Sequence, residues 1–168
     1  MKHFDNFKYR ISGLLVALFV CAADQWTKSA VKAFMDKDPD GVFVVVKNYV
    51  NLVYRHNTGG AFSMLDQHPR IFLYLPSGLI VLVFVLLVFS KDRRPELPGI
   101  LGLGCILGGA LGNMADRIRE PARGVFDFID VYAGAYHWPA FNLADSCIVL
   151  GVFLFGYALM RSELARGR

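Results

Sequence analysis

The sequence predicts an all-α polytopic membrane protein with four transmembrane helices, a small extracytoplasmic β-strand segment and a short outer helix or loop. Of its 168 residues, 55% are hydrophobic and only 19% are charged. The apolar residues are concentrated in runs long enough to cross a bilayer, which is typical of integral membrane proteins. β-Branched and aromatic residues alternate between the first two runs, and this pattern is typical of strands.

Four apolar runs mark the expected spans of one membrane-embedded domain. The first run continues past Ala23 into polar residues, but Trp26, Ala30 and Val31 extend its apolar helical pattern. The spans are therefore expected at about 11–34, 71–89, 99–115 and 139–160. The two outer segments are then 35–70 and 116–138 of a single domain, 1–168.

Basic residues define the expected orientation of these spans. Half of the 18 lysines and arginines lie at the two termini and in the short segment 90–98. Lysine and arginine are enriched in short cytoplasmic segments of membrane proteins. We therefore expect both termini in the cytoplasm and both outer segments on the opposite side.

The two outer segments differ in composition. In 35–70 the alternating residues predict two short strands that turn near Lys47–Asn48. The segment 116–138 mixes charged residues with aromatic rings, which suits the interface between membrane and water. We expect this second segment to form a short helix or loop.

Polar side chains gather at the outer ends of the spans. They include carboxylates, amides and two cations, namely Asp24, Gln25, Lys28, Asn57, Asn113, Asp116, Arg117, Asp127, Asp130, Asn142 and Asp145. An asymmetric polar cluster at one membrane boundary predicts a functional site, because charged groups there are costly. Simpler interpretations also exist, since Asp24 and Lys28 have the spacing of a local helical ion pair.

Several kinds of chemistry are poorly supported by the residues. The four histidines and three cysteines are scattered without metal-ligand spacing, so we expect no metal and no cofactor. Ser146 lacks the motif of an activated serine. The net charge of +4 comes from residues that flank apolar runs, which argues against nucleic-acid binding.

The remaining candidates are carboxylates. Two carboxylates in a poorly solvated site cannot both ionise, so one keeps a proton and the pair can activate water toward a peptide bond. Asp127 and Asp145 are the strongest candidates for such a pair. The residues alone leave two alternatives open: a small proton-coupled transporter or channel subunit, and a structural protein assembling through Gly104, Gly108 and Gly112.

Five strings carry a resemblance to a known family. They stand in order across almost the whole chain: "DQWTK" (24–28), "NTGGAF" (57–62), "GGALGNMADR" (108–117), "VFDFID" (125–130) and "FNLAD" (141–145). Together they resemble the lipoprotein signal peptidases (signal peptidase II), aspartyl proteases of the bacterial inner membrane. The resemblance implies an endopeptidase that removes the signal peptide from diacylglyceryl-modified prolipoproteins by cutting before the lipid-modified cysteine.

The resemblance also implies roles for the motif residues. The catalytic pair would be Asp127 and Asp145, with Asp130 as a supporting residue and the nearest rival to Asp127. The substrate backbone would be held by amide and guanidinium groups, from Asn57, Asn113, Arg117 and Asn142. Asp116 would orient Arg117, Asp24 with Lys28 would brace the site, and Gly59 would let the strand segment clasp the substrate.

The expected partners are diacylglyceryl-modified prolipoproteins and membrane lipid, with the chain acting as a monomer. A transporter would instead carry polar residues through the bilayer to the inner side. The span 71–89 has no such residue beyond Ser77, which favours the peptidase.

Overall fold

The computed structural model describes residues 2–36, 41–58, 71–89 and 96–166, without the side chains of 2–6 and 71–72. These residues form four helices and four strands. In chain order they are α1 (Lys2–Met35), β1 (Val42–Val46), β2 (Val50–Asn57), α2 (Ile71–Phe89), α3 (Leu97–Arg119), β3 (Val125–Ala133), β4 (Tyr136–His137) and α4 (Leu143–Arg166). Each predicted span contains a helix. Helices α1 and α3 extend beyond the predicted limits at both ends, whereas α4 begins after the predicted start at 139 and continues past the predicted end at 160.

Helix α3 lies between α1 and α4, and glycines on its two sides allow the close contact. A Cβ atom at Gly108 would lie 2.5 Å from the carbonyl oxygen of Ala17 on α1. A Cβ atom at Gly109 would lie 2.5 Å from the carbonyl oxygen of Ala144 on α4. Small residues therefore bring both neighbouring backbones against α3.

The apolar character of the helices agrees with a membrane protein. In the described part of the chain, α3 and α4 are long and apolar enough to cross a bilayer. Helix α2 is shorter and apolar, and its Val83 and Leu87 join a core with Leu107 of α3. The crossing of the membrane by α1 and α2, and the division of the chain into four spans, stay predictions.

The strands form one antiparallel sheet in the order β1-β2-β3-β4. The expected turn between the first two strands is present at residues 47–49, where Asn48 adopts a φ of 71°. Asparagine tolerates this left-handed conformation better than most residues. The prediction of two strands turning near Lys47–Asn48 is therefore confirmed.

The prediction of a short helix or loop in the second outer segment was wrong. Residues 125–133 form β3, which pairs with β2 and is buried on both faces over its first half. A strand buried on both faces lacks the alternation of polar and apolar residues by which a half-buried strand is recognised. Its two aspartates therefore made the segment look like a polar loop.

A single bridge aligns β3 with the start of α4. The amide of Phe141 donates to the carbonyl oxygen of Ile129 at 3.0 Å, and the Ile129 amide donates back to Phe141 at 2.8 Å. The chain then enters α4 after Asn142. This bridge places Asn142 and the first turn of α4 beside Asp127 of β3.

Candidate active site

The N-terminus of α4 carries two of the candidate residues, and they cap each other. The side-chain oxygen of Asn142 accepts a hydrogen bond from the Asp145 amide at 3.0 Å. Asp145 Oδ2 accepts one from the Asn142 amide at 3.1 Å. In such a capping box, each side chain satisfies a free amide of the first turn. The Asp145 carboxylate is thereby fixed where the helix dipole favours a negative charge.

Asp24 of α1 adds a third cap to the same helix end. Its Oδ1 accepts a hydrogen bond from the Ala144 amide at 3.0 Å, and its side chain is fully buried. Gly112 of α3 leaves the room for it, because a Cβ atom there would lie 2.5 Å from Asp24 Oδ2. Asp24 therefore positions the start of α4, and the bracing role implied by the resemblance stays a prediction.

Lys28 lies between two buried carboxylates. Its Nζ is 2.8 Å from Asp24 Oδ2 and 2.8 Å from Asp116 Oδ2, and 4% of the side chain is exposed. It also donates to Asn113 Oδ1 at 2.9 Å. A buried ammonium is costly unless it is paired and its three N–H groups all donate. These contacts meet that condition and join α1 to α3.

Asp116 contacts α1 and β3. Gln25 donates to its Oδ1 at 2.9 Å, and the Phe126 amide donates to its Oδ2 at 3.3 Å. No hydrogen bond or ion pair between Asp116 and Arg117 is among the contacts of the described residues, so the orienting role implied by the resemblance stays a prediction. Gln25 belonged to the predicted polar cluster but had no predicted role, although its position three before Lys28 puts both on one face of α1.

Asn113 connects the buried lysine to Asp145. Its Oδ1 accepts hydrogen bonds from Lys28 and from Asn142, the latter at 3.1 Å. Its Nδ2 donates to Asp145 Oδ1 at 2.8 Å. With its oxygen turned toward the ammonium, the amide can present only its donor side to Asp145.

Asp127 is buried on β3 and receives its hydrogen bonds from amides. Asn142 Nδ2 donates to Asp127 Oδ1 at 2.7 Å. Burial and the charge of Asp145 raise the pKa of Asp127 to about 6, against hydrogen bonds from Asn57 and Asn142 that lower it. A carboxyl group with such a pKa stays partly protonated at pH values where an ordinary aspartate is ionised.

Asp130 lies on the opposite face of β3 from Asp127, because residues three apart in a strand point to opposite sides. Its Oδ1 lies 2.8 Å from Nδ1 of His137, and Asn51 donates to Oδ2 at 3.0 Å. Burial raises the pKa of Asp130, but the hydrogen bonds from His137 and Asn51 outweigh it and the pKa is lowered. The sequence analysis did not anticipate this role of His137.

Arg117 lies beside the carboxylates on the wall of a cleft. Its Nη1 donates to the backbone oxygen of Asn113 at 3.2 Å. The cleft, of about 710 Å³, opens between α2, α3 and α4, and its polar lining is Asn113, Arg117 and Asp145. The rest of its lining is apolar, chiefly Tyr74, Leu75, Pro76, Leu79, Leu82 and Ile148.

The remaining candidates lie on β2 and after it. Asn57 ends β2, pairs with Val125 of β3, and bonds Asp127 through its side chain. Gly59 lies outside the described residues, so the predicted clasping role is a proposal only. Within the described ranges, no group of His, Cys, Asp and Glu side chains is arranged to hold a metal ion.

The arrangement is suited to acid–base chemistry on a neutral substrate. Asn142 contacts both Asp127 and Asp145, so it fixes the two carboxyl groups relative to each other. One of them has a raised pKa, and the other lines an apolar cleft. A protonated and an ionised carboxyl group can together activate a water molecule and polarise a carbonyl group.

Comparison with known proteins gives a family for this chain. A family model described as signal peptidase (SPase) II matches residues 16–161. A lipoprotein signal peptidase of Anaplasma marginale (strain Florida) is 38% identical over 152 residues, covering 88% of this chain and 84% of the relative. One of Azoarcus sp. (strain BH72) is 41% identical over 152 residues, covering 89% and 82%.

Two solved structures of bacterial membrane enzymes share the fold of this chain. A bacterial membrane enzyme determined by the in meso method at 2.3 Å resolution has a TM-score of 0.75 and 29% identity, with 90% of this chain and 89% of that chain covered. A second, at 1.9 Å resolution, has a TM-score of 0.75 and 30% identity, with 88% and 92% covered. The matched range 16–161 includes every candidate site residue, and the chain belongs to the signal peptidase II family.

Proposed function

We propose that this chain is an aspartic endopeptidase that removes the signal peptide from diacylglyceryl-modified prolipoproteins, by cleaving before the lipid-modified cysteine. The observation that carries the proposal is the pair Asp127 and Asp145, joined through Asn142 beside an apolar cleft. Membership of the signal peptidase II family supports the substrate class.

In the form of the enzyme that starts the reaction, Asp127 holds the proton and Asp145 is the proton acceptor. The raised pKa of Asp127, about 6, supports the first assignment. Hydrogen bonds to Asp145 from Asn113 and from the Asn142 amide support the second, since both are donated to carboxylate oxygens.

Hydrolysis then follows in two steps without a covalent intermediate. Asp145 accepts a proton from water as the water oxygen bonds to the carbonyl carbon, and the proton of Asp127 passes to the carbonyl oxygen. The C–N bond then breaks as Asp145 gives its proton to the leaving nitrogen. Asp127 recovers a proton from the hydroxyl group of the new carboxyl product, and the starting form is restored.

The other candidates hold the substrate or the carboxylates. Arg117 and Asn57 bind the backbone of the extended segment around the scissile bond. Asn113 and Asn142 keep the carboxyl groups in place, and Gly59 lets the chain after β2 approach the substrate. The described side chains of α2 form no line of polar groups across the bilayer. A proton-coupled transporter would need such a path, so this alternative is disfavoured.

The apolar cleft receives the membrane-embedded part of the substrate. A signal peptide is an apolar helix in the bilayer, and the cleft between α2 and α4 offers it apolar walls that end at Asp145. We place the enzyme as a monomer in the bacterial inner membrane, with four spans, both termini in the cytoplasm and the site at the outer boundary. Basic residues near both termini support that orientation.

The test is cleavage of a purified diacylglyceryl-modified prolipoprotein in detergent under single-turnover conditions. Asp127→Asn and Asp145→Asn should each lower the rate by about 10²–10⁴-fold, because an amide neither accepts nor shares the required proton. Asp130→Asn is the matched control, since it changes the same group on the opposite face of β3 and should retain most of the rate. The unmodified precursor should be cleaved slowly.

Three results would contradict parts of this proposal. A folded Asp130→Asn variant that is inactive beside an active Asp127→Asn variant would reassign the pair. Wild-type rates in both dyad variants would remove the aspartic mechanism. Equal rates on modified and unmodified precursors would remove the lipid from recognition.

A further inference from the structure

Strand β1 is apolar and exposed on both of its faces. Its five residues, Val42, Phe43, Val44, Val45 and Val46, are each between 48% and 59% exposed. Successive residues of a strand point to opposite sides, so neither face of β1 is covered by the described chain. In a protein surrounded by water, one face of such a strand would be buried and the other polar.

The exposed surface of β1 continues onto the helix bundle. The ring of Phe43 meets the ring of Phe34 edge-on, with 5.0 Å between their centroids. Phe34 is 56% exposed and ends the first predicted span, 11–34. The contact therefore places β1 at the level where α1 leaves the bilayer.

The turn that follows β1 has the composition of a membrane interface. Lys47 is exposed, and Tyr49 is 60% exposed. Tyrosine rings settle at the boundary between hydrocarbon and water, and lysine side chains extend from it into the headgroups. β1 is also an edge strand of the sheet. An open sheet edge is excluded from the hydrocarbon core, but water at the interface can satisfy it.

We propose that β1 is a second membrane contact, lying in the headgroup and upper acyl region of the leaflet nearest the sheet. Lipid is the occupant that fits, because it surrounds a strand on both faces. A second copy of the chain would cover one face or the open edge and leave the other face in water. The inference goes beyond the proposed cleavage and does not depend on it.

Such a contact would set the height of the sheet. β1 pairs with β2, and β2 pairs with β3, which carries Asp127. An anchored β1 would therefore hold Asp127 at a fixed depth, close to the level at which a lipid-anchored substrate presents its peptide bond.

The experiment measures the lipid contact by fluorescence. Trp26→Phe with Trp138→Phe removes both native tryptophans, and Val44→Trp or Val45→Trp then reports one face of β1 each. The proteins are reconstituted into phosphatidylcholine vesicles brominated near the headgroup end or near the end of the chain. Phe153→Trp, on the exposed side of α4, is the lipid-facing control, and Glu163→Trp, near the end of α4, is the water-facing control.

Both β1 reporters should be quenched by brominated lipid severalfold more strongly than Glu163→Trp, with the shallow bromines more effective than the deep ones. Aqueous iodide should quench them less than it quenches Glu163→Trp. Strong iodide quenching of either reporter would overturn the proposal, since that face would then be in water.

Protection from both quenchers would also overturn it, and loss of that protection on dilution of protein in lipid would identify a second copy. If the background without native tryptophans does not fold, spin labels on Val44→Cys and Val45→Cys replace it. Greater collision with oxygen than with a water-soluble nickel chelate at both positions is then the supporting result, and the reverse contradicts the proposal.

Discussion

Two groups of carboxylates, joined through Asn113, lie at the same end of the helix bundle, and they are compensated differently. In the braced cluster, Asp24 and Asp116 share Lys28, whose ammonium is 2.8 Å from each. In the dyad, Asp127 and Asp145 receive hydrogen bonds from asparagine side chains and backbone amides.

The difference explains how one residue type can serve two purposes. A cation at ion-pair distance compensates the charge of a buried carboxylate, so loss of that cation would destabilise the fold. Amide donors stabilise a carboxylate less than a full positive charge does, and Asp127 keeps a raised pKa of about 6. The dyad can therefore exchange protons, while the braced cluster holds the elements around it in place.

The largest effect is expected when the braced cluster loses its cation. Lys28→Met keeps the length of the side chain but leaves Asp24 and Asp116 buried without their partner. Breaking a buried ion pair in this way costs on the order of 3–5 kcal/mol. The free energy of unfolding, measured in detergent with a chemical denaturant, should fall by that order.

Lys32→Met is the matched control for that prediction. Lys32 is a neighbouring lysine of α1 that pairs with Glu120 at 2.5 Å, and its side chain is 27% exposed. Exposed pairs contribute about 0–1 kcal/mol, so this variant should lose little stability. Equal losses in the two lysine variants would contradict the difference drawn between a buried brace and a partly solvated pair.

The next effect should have the opposite sign and concerns the dyad. Because the pKa of Asp127 is raised to about 6 from 3.8, the folded protein binds this proton more tightly than the unfolded chain does. The group therefore reduces stability progressively as pH rises from about 4 to about 6, and the full penalty remains above that range. Asp127→Asn removes the titration and should increase stability above pH 6 by on the order of 1–3 kcal/mol.

Thermal unfolding of wild type and Asp127→Asn at several pH values measures this difference. The variant should be the more stable protein at pH 8, and the gap should close below pH 4. A gap that stays constant across this range would show that the substitution acts through packing and that Asp127 is not a titrating member of the dyad.

Much of the fold could be predicted because hydropathy depends on composition alone. The run 71–89 contains no charged residue, and helix α2 occupies the same limits. The turn near Lys47–Asn48 was predictable from local strand composition. Strand β3 was not, because its identity depends on pairing with β2 and on burial of both faces, which no local pattern of 116–138 records.

For the candidate site, the sequence predicted which residues belong to it but not how their side chains contact each other. Sequence placed Asp127 and Asp130 on opposite faces of any strand, but the face directed toward Asp145 is set by the bridge between Ile129 and Phe141. Contacts made by backbone amides left no sequence signal. The hydrogen bond from the Ala144 amide to Asp24 is one such contact, formed only when α1 and α4 are packed against α3.

The smallest expected effect tests how amide donors tune the dyad. The side chain of Asn57 bonds Asp127 and lowers its pKa, so Asn57→Ala should raise that pKa above its present value of about 6. In the proposed mechanism Asp127 must be protonated, and kcat/KM therefore falls as pH rises through this pKa. The alkaline limb of the pH profile should move to higher pH by up to about one unit, which corresponds to 1.36 kcal/mol. A larger shift is not expected, because Asn57 is exposed and water can replace part of its contact with Asp127. Thr58→Ala, at the next position, is the control and should leave the limb in place. If the acid limb of the Asn57→Ala profile instead moves to higher pH while the alkaline limb stays in place, the ionised form of Asp127 is the active one, and the roles of Asp127 and Asp145 would have to be exchanged.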